Sequence, residues 1–169
     1  LGLRSPLITL ALIVLIPLAV GIGEIEVLWV QRLSVTGEVR DGHTGAPIPD
    51  ARVVLLLHEQ QAERFVPLAR AAVKSNQVSA VSPPGTATTD AAGQFRATAL
   101  ERFEQRYWTV FGLHWRRPPR TAPPGFAHLV AMHPDYRLGE VHLEQSLWAS
   151  PTDPLSYQAA APPLELLPE

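Results

Sequence analysis

The run RLSVTGEVRD sets Leu33, Val35, Gly37 and Val39 against polar neighbours. A period of two puts those four residues on one side of an extended chain, so the run is a strand with one face toward a core. GHTGAPIPDA follows, with two glycines and two prolines, and forms a turn and an extended connector. ARVVLLL, Ala51 to Leu57, is apolar without alternation, as expected of a strand covered on both faces. In TATTDAAGQF, Thr86 to Phe95, Asp90 can bond backbone amides downstream and Gly93 can take the left-handed conformation that closes a hairpin. QFRATAL is the return strand, with Phe95, Ala97 and Ala99 on one side. Further strands are expected over Gln105 to Trp115, Phe126 to His133 and Leu138 to Glu144. Six or seven short strands with turn punctuation predict a mainly β chain, a seven-stranded Greek-key-like β-sandwich.

A length of 169 residues suits one such domain. Cysteine is absent, which removes disulfides, thiolate metal sites and a cysteine nucleophile, so packing and backbone pairing must hold the fold. A net charge of -2 provides no general attraction for nucleic acid, and none is expected as a partner. Abundant Ala, Arg and Leu beside a single lysine, Lys74, match the usage of a GC-rich bacterial genome.

Pro6 to Gly23 carries no charge, and its 18 residues at ~1.5 Å each would cover roughly 27 Å of a ~30 Å hydrocarbon core. Arg4 precedes the run while Glu24 and Glu26 follow it, which favours an inside N-terminus and an extracytoplasmic remainder. Residues 1–29 are therefore expected to form a transmembrane anchor in the cytoplasmic (inner) membrane, with Trp29 at the outer interface. A cleaved signal peptide ending near Ala19-Val20-Gly21 is the competing reading. Both put the rest of the chain on the periplasmic side.

Three segments together carry a family resemblance: VTGEVRDGHTGAPIPDARVVLL, TATTDAAGQFRA and AHLVAMHPDYRLGEVHL. They resemble the carboxypeptidase regulatory-like domain, a seven-stranded sandwich related to transthyretin. The matching positions are Gly37, Val39, Asp41, Thr44, Gly45, Pro47, Ile48, Ala51, Val53, Thr88 or Thr89, Asp90, Gly93, Phe95 and Tyr136. The resemblance implies a sandwich over residues 30–145 and an accessory or adhesive role with no shared active site. Two segments depart from the pattern by their length, His58 to Gly85 and Arg116 to Gly125. In the first, Ala62, Phe65, Val66, Ala69, Ala72 and Val73 recur at helical spacing, with Pro67 straining the middle. Such a helix serves either to dock a partner or to cover a sheet edge.

No catalytic motif is complete. His58-Glu59 begins like a zinc-protease helix but lacks the second histidine four residues on. His114, His128, His133 and His142 could converge only if their strands are neighbours, and strand histidines need no metal. Asp41, Asp50 and Asp90 have the types of a calcium or acid–base set, but turn aspartates ordinarily bond backbone amides. Gly-x-Ser-x-Gly is absent. Neither an enzyme, a metal nor a cofactor is expected.

Contact-making residues remain. Arg116, Arg117 and Arg120 lie near Trp108 and Trp115, a pairing frequent at protein interfaces and equally compatible with a solvated basic loop. The tail, residues 146–169, holds Trp148 and Tyr157 among prolines and is expected to lie extended along a partner, outside the sandwich. The expected function is a non-catalytic accessory or scaffolding subunit of a larger bacterial membrane complex. It would meet an integral membrane protein complex through Arg116, Arg117, Arg120, Trp148 and Tyr157, and the lipid bilayer through Pro6 to Gly23. The alternative is a free membrane-anchored module binding carbohydrate, peptide or a small apolar ligand. If the apolar run anchors the chain, the protein stays with membranes through carbonate washing. A mature chain starting near Ile22 by mass spectrometry would overturn this.

Overall fold

The structure, a computed structural model, describes residues 22–110, 123–149, 153 and 155–168. Nine strands occur among them, with one α-helix and two short 3-10 turns. In chain order the strands and helix are β1 (Ile22–Asp41), β2 (Arg52–Leu56), α1 (Glu59–Lys74), β3 (Thr86–Thr88), β4 (Gln94–Val110) and β5 (His128–Met132). They end with β6 (Gly139–His142), β7 (Trp148–Ala149), β8 (Ser156–Ala160) and β9 (Leu164–Leu166). Two compact units share β1 and β4: residues 22–30 and 102–110 belong to one, residues 31–101 and 123–168 to the other.

The larger unit is mainly β, with two sheets over one core. Its first sheet runs β4-β1-β8-β7 with β9 also on β1, and its second runs β3-β2-β5-β6. Alternating inward residues fill the space between: Leu33, Val35, Val39, Phe95 and Ala97 from the first sheet, Val53, Leu55, Leu129 and Ala131 from the second. The unbroken apolar character of β2 and β5 follows from a second layer. Val54, Leu56, Val130 and Met132 face the other way and are covered by Ala62, Phe65, Ala69 and Val73 of α1. The amphipathic spacing thus prevails over Pro67, which lies inside the 16-residue helix and costs it one backbone hydrogen bond. The helix lies on the outer face of the second sheet, over its central strands β2 and β5, where a cover along an edge was one of the two expected roles.

The C-terminal segment corrects the expectation of a tail outside the sandwich. β8 pairs with β1 in parallel, Leu33 against Tyr157 and Val35 against Ala159. β9 pairs with β1 in parallel farther along, Val39 against Leu164 and Asp41 against Leu166. Leu164 and Leu166 are fully buried, and Trp148 and Tyr157 are only 8% and 6% exposed. Gly139 of β6 leaves the space that the Leu166 side chain fills, since a Cβ there would collide with it. Trp148 and Tyr157 are therefore core residues, where surface positions against a partner were expected. These parallel pairings and nine strands also depart from a seven-stranded Greek key of antiparallel strands.

In the smaller unit β1 and β4 form a two-stranded ribbon. Gly23 lies beside Thr109 and Glu26 bonds Arg106, so the strands run in opposite directions. The strand expected to start at Gln105 is the continuation of β4. Ile22 and Gly23, the last residues of the expected apolar span, and residues 24–29 beyond them are strand; residues 6–21 lie outside the described ones. Among the described residues, no helix is long and apolar enough to cross a membrane.

If β9 is part of the core, Leu166→Ala lowers unfolding free energy by about 2–5 kcal/mol, read from urea transitions. The neighbouring exposed Leu167→Ala changes it by less than about 0.5 kcal/mol. Equal effects would contradict the assignment.

Candidate functional site

Three clusters hold the polar side chains that the sequence singles out, and two of them are structural. In the first, Asp41 ends β1 and its Oδ1 accepts the amides of His43 at 2.8 Å and Thr44 at 2.9 Å. Tyr136 donates its hydroxyl to Oδ2 at 3.0 Å, joining a turn 95 residues away. The Thr44 amide foremost, then the His43 amide and the Tyr136 hydroxyl, hold the Asp41 carboxyl below its ordinary pKa, against an opposing effect of burial. The same bond raises the Tyr136 phenol. Every Asp41 oxygen is thus engaged in fixing a turn, which leaves it unsuited to acid–base work.

The second cluster is the Thr89–Gly93 hairpin. Asp90 Oδ1 accepts the amides of Ala92 and Gln94, both at 2.9 Å, and Gly93 has φ +70°. A Cβ on Gly93 would lie 2.6 Å from the Val39 carbonyl. The segment is a hairpin turn, as expected. Thr89, one of the two threonines that fit the resemblance, has a buried hydroxyl that accepts the Ala51 amide and donates to the Ile48 carbonyl, both at 2.8 Å. It fastens the connector before β2, a role that the run of threonines ahead of Asp90 does not announce in sequence.

The third cluster is histidine-rich. His128 and His142 are cross-strand partners in β5 and β6, with ring centroids 6.4 Å apart and Phe126 packed against both. Glu140 accepts from His128 Nε2 at 3.3 Å and from Arg70 of α1 at 3.2 Å, which ties the helix to the sheet edge. His133 lies apart, against Tyr136, and His114 is outside the described residues. Among the described residues, no group of three His, Cys, Asp or Glu side chains is placed to hold a metal. Asp41, Asp50 and Asp90 sit in separate turns.

The ribbon is the candidate interaction surface. Along β1 and β4 one face carries Ile25, Val27, Trp29, Phe103 and Tyr107, all half-buried. The other carries Glu24, Glu26, Arg102, Glu104 and Arg106, with Trp108 72% and Leu28 55% exposed among them. Arg116, Arg117 and Arg120 lie outside the described residues.

No protein family and no curated protein matches the sequence. Among solved structures, the chain is similar to the crystal structure of 3-chlorocatechol 1,2-dioxygenase from Rhodococcus opacus, with 15% identity and a TM-score of 0.39. The match covers 82% of this chain and 61% of that one, so the chain spans about three fifths of the enzyme's length. That neighbour is an enzyme, whereas the sequence leads to the expectation of a chain without catalytic activity. At this level of likeness, the comparison carries no argument for a shared fold, activity or site.

The Asp41 contacts generate a pH prediction. A carboxyl with a depressed folded pKa contributes stability above its unfolded pKa, and that contribution is lost as pH falls through the folded value. Tyr136→Phe removes one donor, so the folded Asp41 pKa rises toward its unfolded value, and the stability lost on acidification through this carboxyl becomes smaller and is complete at a higher pH. Carboxyl titration by NMR, with denaturation at stepped pH, reads both; an unmoved Asp41 titration would contradict the assignment.

Proposed function

We propose that the chain is an interaction module, an accessory subunit of a larger bacterial membrane assembly that grips its partner through the ribbon. The exposed Trp108 carries this reading. A large indole left 72% in water, flanked by Arg102 and Arg106 on the same face, has the composition of an interface anchor, because burying Trp and Arg together yields most of the binding energy at protein interfaces. Leu28 extends the apolar area, while Glu24, Glu26 and Glu104 provide charges that set register against a partner. Arg116, Arg117 and Arg120, close to Trp108 in sequence, belong to the same contact.

The membrane side of the proposal rests on the uncharged residues 6–21 that lead directly into β1. An anchored chain searches a thin layer, which raises the effective concentration toward neighbouring integral proteins and lets weak contacts suffice. For the domain, we propose a module of the carboxypeptidase regulatory-like kind. Its supporting features are the Asp41–Tyr136 bond and the Asp90–Gly93 hairpin, formed by residues that carry the sequence resemblance.

The test is native electrophoresis of mildly solubilised membranes, comparing the natural chain with Trp108→Ala. The natural chain is expected to migrate in a complex much larger than itself and the variant to be released from it, with thermal unfolding unchanged. A variant that stays in the complex, or a natural chain that migrates alone, would overturn the proposal.

A further inference from the structure

The larger unit has a groove that neither the core nor the ribbon explains. β8 follows β1 to the pair Thr36–Ala160, and the Ala161 amide bonds the Thr36 carbonyl at 2.8 Å. Pairing resumes at Val39–Leu164. Between the two pairings lie Pro162 and Pro163, which have no amide hydrogen to donate to β1. The C-terminal segment leaves the ladder there, beside Gly37 and Glu38, and a groove of about 570 Å³ opens at the break.

Its lining is polar in a particular way. Thr36, Thr88, Gln94 and Arg96 border the groove, and none of their side chains has a hydrogen-bond or ion-pair partner among the described residues. Asp90 borders it too, with Oδ1 committed to the hairpin amides, and Glu38 is held by Arg40 at 2.8 Å. Pro163 and Ala160 contribute a small apolar patch. Hydroxyls, an amide and a guanidinium free to bond therefore stand beside two carboxylates already oriented by other contacts.

These features select among ligand classes. A phosphate or other strong anion meets one guanidinium and two carboxylates, an unfavourable balance. An apolar ligand needs an enclosed cavity that buries most of its surface, and this groove is open. Adjacent hydroxyl groups fit better, since each both donates and accepts, and the planar Arg and Gln groups can bond two neighbouring oxygens at once. The apolar patch would meet the C–H side of the same molecule. We infer that this groove is a binding site for a neutral polyol, a saccharide unit, recognised by Arg96, Gln94, Thr36 and Thr88. The site lies within the sandwich and is independent of the contact proposed for the ribbon.

The test is titration of the full chain with maltotriose, cellotriose and triacetylchitotriose, with inorganic phosphate as the anionic control, followed by amide NMR shifts. At least one trisaccharide is expected to move the resonances of Thr36, Thr88, Gln94 and Arg96 in a saturable way. Arg96→Ala and Gln94→Ala, both exposed positions, are each expected to weaken that binding by about tenfold with thermal unfolding unchanged. Three outcomes would each overturn the inference: no response to any of the three sugars, unchanged affinity in both variants, or stronger binding of phosphate.

Discussion

The parallel return of the C-terminal segment onto β1 is the constraint on which the rest of the sandwich depends. β1 has β4 on one edge, and among the described residues only β8 and β9 pair with its other edge. Their side chains close the core above Leu33, Val35 and Val39. Without them β1 would be an open edge with its backbone groups unpaired, the situation that sheet proteins avoid by covering or blunting an edge. β9 also reaches the second sheet, since Leu166 occupies the space left by Gly139 of β6. The bond between Asp41 and Tyr136 stands beside this join, with Tyr136 also bridging to Pro168. The two sheets are thus held together at one side by residues from opposite ends of the described chain.

Much of this is legible in the sequence where one physical signal dominates. Period-two alternation marks β1, and unbroken apolar runs mark β2 and β5 because α1 adds a second layer over them. The α1 spacing of Ala62, Phe65, Ala69 and Val73 is equally plain despite Pro67. Asp90 and Gly93 announce their turn because few residue pairs suit that geometry. The C-terminal strands escape notice for a physical reason. Tyr157 and Ala159 alternate, as do Leu164 and Leu166, but Pro162 and Pro163 interrupt the rhythm and alanine gives a weak apolar signal. Composition there suggests an extended tail, while the energy comes from a pairing with residues more than a hundred positions earlier. No local pattern encodes such a pairing.

The site follows the same division. Turn aspartates are recognisable by type, and the structure gives Asp41 and Asp90 the backbone bonds that such residues ordinarily make. Trp148 and Tyr157 look like interface aromatics in sequence because both are large with a polar tip, yet alternation on β7 and β8 turns them inward. Trp108 has the same chemistry and the opposite environment, since it sits on the exposed face of the ribbon. The groove at the proline break has no signature in sequence at all. It arises because Thr36 and the hairpin residues Thr88, Gln94 and Arg96, some fifty positions later, surround a gap created by two missing amide hydrogens.

Native-state hydrogen exchange measures the central constraint directly. Backbone amides in a cooperative core open only with global unfolding, whereas those of a peripheral tail open locally at far lower cost. If β8 and β9 complete the sandwich, the hydrogen-bonded amides of residues 156–160 and 164–166 exchange in the same slow class as those of residues 33–39 and share their dependence on denaturant. Fast exchange of the C-terminal amides while β1 and β2 stay protected would contradict the account.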